Sequence, residues 1–124
     1  MDIFINTSIH NYIMKKILFV CNGNAQRSPT FEKFFKKKLY QKDYDVRSAG
    51  IYSGYPYMVN QELIDWADCI YVMDLEQYKF IFSHHNEQKN KLEMIGVSDQ
   101  YMPDNPELIR LIDFWYNTIK GGKL

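Results

Sequence analysis

Two cysteines in 124 residues, Cys21 and Cys69, are too few and too far apart to build a disulfide scaffold, and they point to a reducing compartment. Net charge is also missing: 15 basic residues balance 15 acidic ones, which leaves no broad electrostatic footprint for nucleic acid. No apolar run is long enough to cross a bilayer and no stretch reads as a signal peptide, so the expectation is a cytoplasmic chain without a membrane partner. The histidines are few. His84 and His85 are adjacent, point different ways on either a helix or a strand, and have no cysteine or carboxylate at metal-ligand spacing, so no metal or other cofactor is expected; His10 reads as exposed and inert. Repeats and low-complexity segments are absent. What is present, 46% apolar and 16% aromatic residues, suffices for one core in one domain.

Residues 1–13 mix polar and apolar types without a period and read as an extension dispensable for chemistry, with the domain proper spanning 14–124. Lys16, Ile17, Leu18, Phe19 and Val20 then form a short apolar run suited to a strand buried on both faces of a parallel sheet. Further on, Ser28 reads as a helix N-cap and Pro29 as the first helical position, followed by Phe31, Phe34, Phe35 and Leu39 at helical spacing. Lys33, Lys36, Lys37 and Lys38 fall on the other side, a solvated helix face rather than a nucleic-acid patch. Residues 45–49 read as a second strand and 51–58 as a loop, where Tyr52, Tyr55 and Tyr57 either wall a pocket or cover the core. A short helix over 59–67 turns Leu63, Ile64 and Ala67 inward, and 69–73 is a third strand with Cys69 as a small core hydrophobe. Residues 92–95 give a fourth strand. A helix over 106–118 carries Leu108, Leu111, Ile112, Trp115 and Ile119 on one stripe and closes at Gly121 and Gly122. The order β-α-β-α-β-α-β-α predicts an α/β fold: a right-handed, four-stranded parallel sheet with helices on both faces.

The chemistry concentrates between the first strand and the first helix, in Cys21, Asn22, Gly23, Asn24, Ala25, Gln26, Arg27 and Ser28. A loop in that position aims backbone N–H groups and the positive end of a helix dipole into one concave space that suits an anion. Gly23 permits a tight turn and close approach to a ligand, and Asn24 tolerates a left-handed conformation. A thiol set among N–H dipoles and a guanidinium is favoured as the nucleophilic thiolate. Arg27 lies six positions after Cys21, so a curled loop returns its planar fork to the same oxyanion. Cys-x5-Arg is thereby a nucleophile beneath a phosphate clamp.

The run from Val20 to Pro29 resembles the signature V-C-x-G-N-x-x-R-S-P of the low-molecular-weight protein tyrosine phosphatase family. Arg47-Ser48-Ala49-Gly50 is similar to that family's second-strand end, and the run from Trp66 to Met73 to its third strand. The resemblance implies a phosphomonoester hydrolase with no cofactor, acting on a phosphorylated protein or a small aryl phosphate through a phosphocysteine. Cys21 would be the nucleophile and Arg27 the clamp, with the loop residues Asn22, Gly23, Asn24, Ala25 and Gln26 holding phosphate oxygens. Ser28 would donate to the thiolate, and Ser48 would brace the loop. Asp99-Gln100-Tyr101 resembles the family's Asp-Pro-Tyr with Gln100 in place of proline, so Asp99 would be the general acid and Tyr101 would stack on the substrate ring. Asp104 competes, but Asp104 or Asn105 before Pro106 is explained as a helix N-cap, and Asp99 ranks first.

Two alternatives stay open: a protein arginine phosphatase of the same fold, and a phosphate- or phosphopeptide-binding module without turnover. Arsenate reductases need further cysteines to pass on a disulfide, whereas here position 26 is Gln26 and the one spare thiol is the core-like Cys69, and Arg27 argues against a phosphocarrier that must keep its phosphoryl group.

Overall fold

A computed structural model describes residues 14–37, 39–53, 57–85 and 90–124. The extension over 1–13 with His10, as well as Lys38, Gly54, Tyr55 and Pro56, lie outside the described residues. Strand β1, Lys15–Cys21, runs through the middle of a sheet, with all residues from Ile17 onward buried. Strands β2 (Tyr44–Gly50) and β3 (Cys69–Val72) pair with it in parallel on either side. Strand β4 (Leu92–Met94) pairs in parallel with β3, giving four strands in the order β2-β1-β3-β4. The strands are slightly displaced from expectation at their ends, and the sheet is the predicted one.

Because alternate side chains of a strand point to opposite faces, β1 divides its apolar residues between two cores. Ile17, Phe19 and Cys21 enter one core, with helices α1 (Arg27–Phe35) and α4 (Pro106–Phe114) against it. Leu18 and Val20 enter the other, with Ile64 of α2 (Gln61–Trp66) and Ile81 of α3 (Leu75–His84). The first core is aromatic at its centre: the Phe19 ring lies 5.0 Å from Phe31 and 5.6 Å from Phe35, and Trp115 stands edge-on to Tyr71 at 5.0 Å. Such contacts stabilise beyond the area they bury.

Two expectations about helix packing change. Helix α1 stops at Phe35, so Leu39 falls past its end and is 75% exposed instead of joining the stripe of phenylalanines. Helix α4 passes into a π turn over Trp115–Ile119, in which Lys120 N–H donates to Trp115 O at 2.9 Å. The wider turn brings consecutive residues Trp115 and Tyr116 into the core and swings Ile119 out to 63% exposure. Tyr116 O–H then meets Tyr44 O–H at 2.9 Å, tying the end of α4 to the start of β2. Among the described residues, no helix is long and apolar enough to cross a membrane.

Chain order and strand order together place the end of β1 at a switch point. The chain leaves β1 for β2 on one side and later crosses to β3 on the other, so the carboxyl end of β1 opens onto a crevice. Cys21 is the last residue of that strand.

Candidate active site

Residues 22–26 connect β1 to α1 and curl back over the strand end. Asn24 takes the left-handed conformation with φ of +53°, as its type permits. The curl is held from outside by the end of β2. Asn22 O accepts from Ile51 N–H at 2.7 Å and from Tyr52 N–H at 3.0 Å. Gly50 lets that strand come so close, because a Cβ there would stand 2.6 Å from Asn22 O and 2.8 Å from Asn24 N.

Ser28 does not cap the helix. Helix α1 begins at Arg27, its cap position is Gln26 without a side-chain hydrogen bond, and Pro29 is the third helical residue. The Ser28 hydroxyl turns inward instead, 3.0 Å from Cys21 Sγ, 3.0 Å from Asn24 Oδ1 and 3.3 Å from Ala49 O. One hydroxyl proton cannot serve three acceptors at once. It is free to turn to the sulfur whenever the sulfur carries charge. Ser48 is also corrected: its hydroxyl donates to Glu32 Oε1 on α1, and the loop is braced by the main-chain N–H groups of residues 51 and 52.

Arg27 is only 3% exposed, so its charge needs partners. Its Nη1 donates to Asp74 Oδ2 and to Val97 O, each at 2.7 Å. These two bonds join the loop after β1, the start of α3 and the segment after β4. Nε and Nη2 form no hydrogen bond with the described residues, which leaves one edge of the fork for a ligand. Asp74 caps α3 through Oδ1, which accepts from Glu76 N–H at 2.9 Å, and Gln77 completes a capping box. Burial opposes ionisation of Asp74, but hydrogen bonds from Arg27 and Glu76 N–H outweigh it and hold the carboxyl below its usual range.

Cys21, Asn22, Gly23, Ala25, Gln26, Arg27, Tyr52 and Asp99 line one cavity of about 220 Å³. The nucleophile, clamp and acid predicted from sequence therefore share one concave space. Gln26 Nε2 also reaches Met102 Sδ at 3.6 Å. Tyr101 is half-buried against the aromatic core and is not among the lining residues. Asp104 lies elsewhere, with φ of +59°, its carboxylate 3.1 Å from Lys33 and its N–H donating to Thr30 Oγ1. The cap of α4 is Asn105, whose side chain accepts from Glu107 N–H at 2.8 Å. Of the tyrosines after β2, Tyr52 walls this cavity, and Tyr57 lines a separate one of about 680 Å³.

Three parts of the site escaped the sequence reading: Asp74, Gln77 and the Val97 carbonyl. The first two had a signal, since an Asp followed three positions later by Gln at the end of a strand is a capping-box pattern. A carbonyl contact leaves no mark in sequence.

Over residues 16–57 the chain matches the family described as low molecular weight phosphotyrosine protein phosphatase. No curated protein matches the chain significantly. Among solved structures, it is similar to a low molecular weight phosphotyrosine phosphatase from Vibrio cholerae O395, with a TM-score of 0.71, 25% identity and coverage of 87% of this chain and 95% of that one. A low molecular weight protein tyrosine phosphatase from T. tengcongensis superposes with a TM-score of 0.65 at 26% identity, covering 80% and 95% of the two chains. The YwlE arginine phosphatase from Geobacillus stearothermophilus shares the fold at 22% identity, with a TM-score of 0.68 and coverage of 87% and 94%.

Proposed function

We propose, on the premise that this chain belongs to the low molecular weight phosphotyrosine protein phosphatase family, that it is a cysteine-dependent phosphomonoester hydrolase working through a phosphocysteine. The observation that carries the reading is the convergence of Cys21, Arg27 and Asp99 on one cavity at the end of β1.

In the first step, the Cys21 thiolate attacks phosphorus in line, forming the S–P bond as the P–O bond to the leaving group breaks. The free edge of Arg27 and the N–H groups of residues 22–27 hold the equatorial oxygens, and Asp99 gives its proton to the departing oxygen. In the second step, the Asp99 carboxylate takes a proton from water as that water attacks phosphorus, and the S–P bond breaks to release phosphate and the thiolate. Ser28 supports both steps by turning its proton to whichever form of the sulfur is charged. Asp74 and the Val97 carbonyl act as positioning groups by fixing the guanidinium.

Tyr52 lines the cavity, and an aromatic residue beside the nucleophile supports a phosphotyrosyl protein or an aryl phosphate as substrate. A reducing, cytoplasmic setting fits a site whose sulfur must remain a thiolate.

Hydrolysis of an aryl phosphate in the presence of a chelator tests the reading. Wild type should turn over, and Cys21→Ser and Arg27→Ala should each lose turnover while melting cooperatively. Full activity in either variant refutes the mechanism. Paired phosphotyrosine and phosphoarginine peptides distinguish the two substrate classes.

A further inference from the structure

Gln77 is completely buried on α3, and both ends of its side-chain amide are engaged. Its Oε1 accepts from the main-chain N–H of Asp74 at 2.7 Å, and its Nε2 donates to Asn22 Oδ1. This orientation is not interchangeable. A backbone N–H can only donate, so the oxygen of Gln77 must face Asp74 and its nitrogen must face Asn22. The same reasoning passes along one residue. Asn22 offers its oxygen to Gln77, so its own N–H2 occupies the other edge of the amide, and Asn22 is a half-buried residue lining the cavity beside Cys21 and Arg27.

Resting on the reading of that cavity as a phosphate site, we propose that the Asn22 side-chain N–H2 is a substrate-binding donor to a phosphoryl oxygen, held toward the anion by Gln77 as a positioning residue. Main-chain donors of the loop are present whatever the sequence; this one belongs to the residue type. Gln77 also touches the other half of the site, because the Asp74 whose N–H it holds is the carboxylate that grips Arg27. Two donors for one anion, the Asn22 amide and the Arg27 fork, are thus set by a single buried amide on a neighbouring helix.

The probe is inorganic phosphate, read as a competitive inhibitor of aryl phosphate hydrolysis and by calorimetric titration. Asn22→Ala should weaken phosphate binding about tenfold, the usual worth of a hydrogen bond to a charged group. Asn22→Asp keeps the acceptor for Gln77 but turns a carboxylate oxygen toward the anion, and should weaken it further. Gln77→Leu should weaken it at least as much as Asn22→Ala, since it also removes the acceptor for Asp74 N–H, and the double variant should bind no more weakly than Gln77→Leu alone, since the Asn22 contact is already lost in it. Phosphate affinities of Asn22→Ala and Asn22→Asp within about twofold of wild type overturn the proposal. So does a double variant whose losses multiply, because Gln77 would then act by a route other than Asn22. Where Gln77→Leu fails to melt cooperatively, Gln77→Glu replaces it: a carboxylate still accepts from Asp74 N–H but cannot donate to Asn22, and the same loss is expected. Wild type that binds phosphate with this pattern yet hydrolyses nothing overturns the phosphatase reading alone. Wild type that hydrolyses normally with unchanged Asn22 variants overturns this inference alone. No phosphate binding at all overturns both.

Discussion

Gly50→Ala adds a single methyl group at the point where β2 supports the nucleophile loop, so it tests how tightly the loop must be held. The new Cβ would lie 2.6 Å from Asn22 O, 2.8 Å from Asn24 N and 2.9 Å from Gly23 C, and all three are backbone atoms that cannot rotate away. The φ of Gly50 is one that alanine adopts freely, so the substitution acts through crowding and not through backbone strain. Restoring ordinary contact, which begins near 3.4 Å, requires the loop to move by about 0.8 Å, from the side that also supplies Ile51 and Tyr52 N–H to Asn22 O. A misplacement of about 1 Å at a reacting centre costs on the order of 100-fold in rate, whereas overpacking at such a site costs about 1–3 kcal/mol of stability. Aryl phosphate turnover should therefore fall far more than the melting temperature does, and phosphate should bind more weakly as well. A folded Gly50→Ala protein with turnover within about threefold of wild type would refute the idea that the loop's register is set by β2.

Asp99→Asn should slow turnover of a poor leaving group by about 100-fold or more and Asp104→Asn scarcely at all, because only Asp99 lines the cavity; the reverse order in steady-state kinetics assigns the acid to Asp104. Ser28→Ala should lower turnover about ten- to a hundredfold with the fold intact by circular dichroism, since the hydroxyl beside the sulfur is lost and no helix cap goes with it. Asp74 is held below its ordinary value of 3.8, so its contribution to stability is complete above that pH and is lost as pH falls toward the folded-state value. Denaturant titrations should accordingly show the gap between wild type and Asp74→Asn narrowing as the solution is acidified below 3.8, and a gap that stays constant to lower pH contradicts the ion pair's role.

The sheet and its helices were legible because β1 carries an unbroken apolar run and the later elements alternate at short intervals. The loop was legible because its residue types each carry a distinct conformational or chemical duty. What misled was end chemistry. Ser-Pro reads as a helix start, yet the helix begins two residues earlier and the serine is drawn to the sulfur, a tertiary contact that outweighs capping preference. The stripe on the last helix was extended at a fixed period, and the π turn broke that period at Trp115. Asp74 and Gln77 are distant in sequence from the loop they hold, and no local pattern links them to Arg27 or Asn22.

A guanidinium that spends one nitrogen on the protein and keeps its other edge open has an entropic advantage. An incoming dianion meets a cation already immobilised, so capture freezes no long side chain and displaces no resident carboxylate. The same anchoring makes the crevice a mechanical unit, in which a tug on Val97 in the segment after β4 is felt at the start of α3. Amide hydrogens of those two segments should exchange together, slowing in concert when the anion arrives.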